Sequence, residues 1–133
     1  MTHAALAVMF AMTVLMSDAF AATSACPPVG SIKQVPMAKG GYSYETTQPN
    51  GPIWSGENPS ALPSYLDDVR FHDARYDAHS KAVTCTYKGP MNNEASISVT
   101  LKPVLGWNLI PIAHWRGTYC EALDISECSF THQ

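Results

Sequence analysis

The sequence predicts a mainly β fold: a compact antiparallel, sandwich-like single domain with long Pro/Gly loops and little helix, stapled by two disulfides. Three observations carry that prediction. Apolar and polar residues alternate with period two across most of Lys81–Lys102. No stretch of useful length shows the i, i+3, i+4 spacing of an amphipathic helix, and no segment repeats. Four cysteines follow an uncharged apolar run at the N-terminus, which points to an oxidising compartment where they can pair.

The apolar run is Ala4–Met16, 13 residues without a charge, too short to span a bilayer. It leads through Ser17-Asp18 to Ala19-Phe20-Ala21, a small-x-small site for a signal peptidase. Residues 1–21 therefore read as a signal peptide and residues 22–133 as one mature domain, periplasmic or secreted. No integral membrane association is expected once the signal is removed. The leader is atypical in one respect: its first residues offer only the α-amino group and His3 as positive charge, with no Lys or Arg.

The first part of the mature chain, 22–41, is punctuated by Pro27, Pro28, Gly30, Pro36, Gly40 and Gly41, and only Ser31–Val35 is fit to pair as a short strand. Tyr42–Thr47 is aromatic and β-branched between turn residues and reads as a strand. Pro49, Pro52, Pro59 and Pro63 mark residues 49–63 as one long loop. Tyr65–Asp68 can form a single helical turn behind Pro63. In Lys81–Lys88, Val83, Cys85 and Tyr87 point one way and Thr84, Thr86 and Lys88 the other. Ala95–Lys102 alternates likewise, so the two segments form an antiparallel hairpin with one face buried and one wet. Val69–Tyr76 extends it to a three-strand meander through the turn at 77–80. Gly106–Ile112 and His114–Glu121 read as two further strands, the first at an edge because of Pro111.

Four cysteines allow three pairings. Chain length favours Cys120–Cys128, which encloses a short segment, and Cys26–Cys85 would then tie the loose N-terminal segment to the central strand. No Cys-x-x-Cys or finger-like His spacing is present, so structural disulfides are preferred to a metal site.

The whole chain carries 8 basic and 11 acidic residues, a net charge of −3. The basic residues are spread singly and form no patch of the kind that holds nucleic acid or anionic lipid. No nucleic-acid partner is expected. Neither a cofactor motif nor a Gly-x-Ser-x-Gly elbow appears, and every cysteine is better used in a disulfide.

Candidate sites are few. His72-Asp73 and Asp77-x-His79 place two imidazoles and two carboxylates near one turn, groups suited to a divalent metal or to general acid/base chemistry. In a regular strand, however, His72 and Asp73 face opposite sides, so His72 and His79 are weak metal candidates and solvated turn residues otherwise. Trp54 lies in the Pro/Gly-rich loop, where it either anchors a partner or caps an open end of the core. Glu57 and Tyr65, which follow it in the chain, are further binding candidates. Trp107, Trp115, Tyr42, Tyr44 and Tyr119 read as core or sheet-face residues.

The order Cys26-Pro27, Trp54-x-Gly56, Cys85-Thr86-Tyr87, Cys120 and Cys128-Ser129-Phe130 resembles a family of small exported bacterial four-cysteine proteins of unknown function. The resemblance implies a disulfide-stapled exported domain and transfers no catalytic residue. The reading that follows is an exported binding module for a protein or envelope component, inhibitor- or immunity-like, centred on Trp54. The alternatives are a small secreted hydrolase using His72, Asp73, Asp77 or His79, and a surface-structural subunit.

Overall fold

Every strand pairing in the computed structural model is antiparallel. The structure describes residues 21–133, and the expected leader lies, apart from Ala21, outside the described residues. The elements in chain order are β1 (Ala22–Ser24), β2 (Ile32–Pro36), β3 (Tyr42–Thr46), β4 (Ser55–Asn58), α1 (Tyr65–Asp68), β5 (Arg70–Asp77), β6 (Ala82–Lys88) and β7 (Ser96–Leu101). The remaining strands are short: β8 (Asn108–Leu109), β9 (Trp115–Arg116), β10 (Tyr119–Glu121) and β11 (Phe130–His132). They form an eight-stranded sheet in the order β2-β3-β4-β7-β6-β5-β10-β9 and a three-stranded sheet β1-β11-β8. No helix among the described residues is long and apolar enough to cross a membrane.

The expected alternation sets the inside of the large sheet. Val83, Cys85 and Tyr87 on β6 and Ile97 and Val99 on β7 are buried, with Phe71 and Ala74 of β5 beside them. The opposite face carries hydroxyls that bond across the strands: Thr84 Oγ1 to Thr100 Oγ1 at 2.9 Å and Thr86 Oγ1 to Ser98 Oγ at 3.2 Å. The small sheet joins the core through aromatic contacts. Trp107 stacks on Tyr76 of β5 at 4.4 Å, Trp115 meets Trp107 edge-on at 5.1 Å, and Phe130 of β11 meets Trp115 at 6.5 Å.

Of the three possible pairings the structure has Cys26–Cys85 and Cys120–Cys128. The first fastens the segment before β2 to the middle of β6, and there the buried Tyr87 hydroxyl donates to the Pro27 carbonyl. Burial pushes the Tyr87 phenol well above its usual range.

Three expectations need correction. The loop over 49–63 contains β4, a strand the reading from side chains missed because Ser-Gly-Glu-Asn shows no apolar alternation. Its pairing is a backbone matter: Gly56 lies so close to the Ser98 carbonyl that a Cβ there would collide with it. His114–Glu121 is a two-strand hairpin, not one strand, because Gly117 turns the chain with φ +62°. Within Gly106–Ile112 only Asn108–Leu109 pairs, and β1 and β11, unforeseen, complete its sheet.

Candidate functional site

Trp54 takes the core position that was the alternative to a contact role. It is 3% exposed and belongs to the core, with its backbone fixed to β3: its N–H donates to Thr46 Oγ1 at 3.0 Å and its carbonyl accepts from the Thr46 N–H at 3.0 Å. The chain is already entering β4 at this point, and the apolar indole turns inward with it. Tyr65 begins α1 and packs, half-buried, against the same core. Glu57 is exposed on β4, opposite Ser43. The three binding candidates therefore do not form one surface.

His72 and His79 are also kept apart. His79 sits in the turn beyond the far end of β5, where its N–H donates to Asp77 Oδ1 at 2.9 Å. That bond holds the Asp77 carboxyl below its usual value. Asp77 lies five positions beyond His72 along the strand, a rise of about 17 Å. Among the described residues no group of three His, Cys, Asp or Glu is placed to hold a metal ion.

His72 and Asp73, expected on opposite faces, are brought together. The register between β5 and β6 shifts at this point: Phe71 pairs with Tyr87 and Asp73 with Thr86, leaving His72 as an extra residue. This β-bulge lets Phe71 point inward and Asp73 outward although they are two apart. It also swings the imidazole back over its neighbour. His72 Nδ1 lies 2.7 Å from Asp73 Oδ2, and Asp73 is 3% exposed, with Arg75 Nε 3.8 Å from its other oxygen.

A continuous polar cluster grows from this bulge onto β10. Tyr119, Cys120 and Glu121 pair with Arg75, Ala74 and Asp73. His72 Nε2 is 3.4 Å from Glu121 Oε1, and the Tyr119 hydroxyl donates to Glu121 Oε2 at 3.3 Å. The Arg75 guanidinium lies over the Tyr119 ring, 5.1 Å from its centre. Desolvation, followed by the Asp73 and Glu121 carboxylates, raises the Tyr119 phenol above its usual value, so at neutral pH it is a protonated donor.

The relief of this surface follows from Tyr119, which stands between two shallow hollows. One, about 680 Å³, is lined by His114, Arg116 and Glu121; the other, about 830 Å³, by Arg75, Thr84 and Thr118. Beneath the strand, Cys120 points inward to Cys128, and the His114 N–H donates to the Glu127 carbonyl at 2.8 Å. The disulfide thus pins from behind the strand that displays Tyr119 and Glu121 in front.

Chemically the His72–Asp73 pair resembles a general-base dyad, but the partner of its Nε2 is the Glu121 carboxylate, not a hydroxyl or thiol nucleophile. Through His72 the pair bridges the neighbouring strands β5 and β10. Sequence reasoning did not single out Arg75 or Glu121 and left Tyr119 as a sheet-face residue. The usable signal was Tyr119-Cys120-Glu121 itself: on a strand, residues flanking an inward disulfide cysteine must face out.

No family model, curated protein or solved structure matches this chain. The reading of its function rests on the geometry of this cluster and on the sequence.

Proposed function

We propose that the mature chain is an exported binding module that recognises a protein or envelope component through the outward face of β5, β10 and β9. One observation carries this reading: Arg75 lies over the Tyr119 ring on a strand locked from behind by Cys120–Cys128. Arg and Tyr are the residue types that most often anchor interfaces. Holding them in place before contact lowers the ordering cost of association. The apolar leader and small-x-small site at 19–21 support export.

The test is affinity capture with the mature, oxidised protein from envelope and culture-medium extracts, read by mass spectrometry, beside the Arg75→Ala/Tyr119→Ala double variant. The expected outcome is a species retained by the wild type and reduced at least about tenfold by the variant, as for the loss of an anchoring contact. The two proteins should melt within a few degrees of each other. Equal retention by both, or no retained species in either extract, overturns the reading.

A further inference from the structure

Seven large apolar side chains are exposed among the described residues, but three of them give almost nothing to the fold. Met91, Ile112 and Leu123 are 93%, 94% and 97% exposed, while Val35, Ile53, Leu62 and Leu105 range from 45% to 62%. The topology puts all three at one end of the large sheet. Met91 lies in the loop that joins Lys88 of β6 to Ser96 of β7, and these two residues pair. Arg70, the start of β5, pairs with Lys88 at the same end. β10 runs toward that end, with Glu121 opposite Asp73, and passes directly into Ala122-Leu123. β9 runs antiparallel to β10, Trp115 opposite Cys120, so the residues that precede it, including Ile112, share this end.

Local contacts link the three tips into one surface. Leu123 lines a shallow hollow of about 470 Å³ together with Pro90 and Asn93 of the Met91 loop. Ile112 lines another, about 430 Å³, with Ser126 and Glu127 of the turn that follows Leu123. Each tip is a single aliphatic side chain on its own loop. A protein partner needs a separate socket for each, whereas the interfacial zone of a bilayer takes apolar side chains without shape matching.

Charge selects the kind of bilayer. Glu94 shares the Met91 loop, Asp124 follows Leu123, and Asp67 and Asp68 of α1 border the hollow beside Leu123; all four are exposed. Two hydrogen bonds from Ser126 hold the Asp124 carboxyl below its usual value. The cations at this end are Arg70 and Lys88 on the strands and Lys39 in the β2–β3 turn. A rim richer in carboxylates suits the outward ammonium groups of zwitterionic headgroups and is repelled by anionic lipid.

We propose that this end of the sheet docks peripherally on a zwitterionic lipid surface, with Met91, Ile112 and Leu123 inserted among the headgroups. The site lies apart from the Arg75–Tyr119 pair and stands whether or not that pair binds a partner. Three inserted side chains give reversible association, on the order of 10⁴ M⁻¹, comparable with a single acyl chain.

Flotation of the mature, oxidised protein with vesicles of mixed phosphatidylcholine and phosphatidylethanolamine tests this, beside the same vesicles doped with phosphatidylglycerol. The wild type should float with the zwitterionic vesicles and less with the anionic ones. Met91→Ser, Ile112→Ser and Leu123→Ser should each lower partitioning about tenfold or more. The triple variant should lose it while keeping the wild-type melting temperature, since these side chains leave the core untouched. Arg75→Ala/Tyr119→Ala should float as the wild type does. Absence of flotation, preference for the anionic vesicles, or undiminished flotation of the triple variant overturns the proposal. So does a concentration-dependent dimer in analytical ultracentrifugation that the triple variant abolishes, because the tips would then belong to a second copy.

Discussion

At the scale of single residues, position along the chain and position in the fold part company. Trp54 sits among prolines and glycines, the composition of an exposed loop, yet its indole is core. Nothing local encodes this. The burial depends on β3 and β7 closing around the segment that follows, a contact between residues more than 40 apart in sequence. Tyr87 was legible, because the alternation of its strand assigns it to the inner face. Its hydroxyl nevertheless has a further task, donating to the Pro27 carbonyl beside the Cys26–Cys85 bridge. Its phenol is raised above the ordinary 10.0 by burial. A group raised in the folded state contributes stability that is fully present below the ordinary value and is lost as pH climbs toward the folded one. Urea unfolding between about pH 8 and pH 11 should therefore show a decline above pH 10, at most about 1.4 kcal/mol per pH unit for this group. Tyr87→Phe should be about 1–2 kcal/mol less stable at pH 8, leaving the Pro27 carbonyl unpaired, and should decline less steeply. A parallel decline in both proteins refutes this role for the Tyr87 phenol.

At the scale of elements, what was legible is what side chains write. β6 and β7 alternate cleanly and fall where the pattern puts them. α1 was legible as a single helical turn behind Pro63. β4 was not, since a strand that contributes Gly56 to a close backbone contact has no apolar signature to display. The bulge at His72 was hidden for a related reason. A pattern of period two cannot announce the one place where the period is broken, and that break is what assembles the candidate site. The bulge makes a specific prediction. Deleting His72 leaves Phe71 opposite Tyr87 and Asp73 opposite Thr86, the registers they already hold, so the variant should fold with an unchanged near-ultraviolet circular dichroism spectrum. It should be about 1–3 kcal/mol less stable, because Asp73 loses its buried hydrogen bond. Deleting Ala74 instead turns Arg75 toward the core and should abolish the folded spectrum. If the His72 deletion is equally disruptive, His72 is not a dispensable insertion in the ladder.

At the scale of the whole molecule, two cross-links of very different span divide the labour. Cys26–Cys85 closes 59 residues and Cys120–Cys128 closes 8. In the chain-entropy account the longer loop contributes about 4 kcal/mol and the shorter about 2.5 kcal/mol. Paired serine replacements should follow that order in thermal unfolding, with Cys26→Ser/Cys85→Ser the lower-melting variant. Cys120→Ser/Cys128→Ser should melt higher but exchange the amide hydrogens of β10 faster than those of β6, because only its pin is gone. The reverse order of melting would overturn this assignment of the long cross-link to the fold and the short one to the site. The sequence made a mainly β, doubly cross-linked domain readable, since alternation and cysteine count are global properties. The candidate site was less readable, because it is built from register and pairing between strands whose partner residues lie more than 40 apart in the sequence.

The hydroxyl pairs Thr84–Thr100 and Thr86–Ser98 have a consequence for where the proposed partner can land. By bonding to one another they leave the middle of the outward face polar but chemically quiet, wet enough to stay soluble and with little unspent bonding capacity to reward contact. Toward β10 that quiet gives way to Arg75, Tyr119 and Glu121, whose charges and ring contact one another, Asp73 and His72. In the proposed binding role, the smooth plain offers a diffusing molecule little to hold, and contact is concentrated at the ridge.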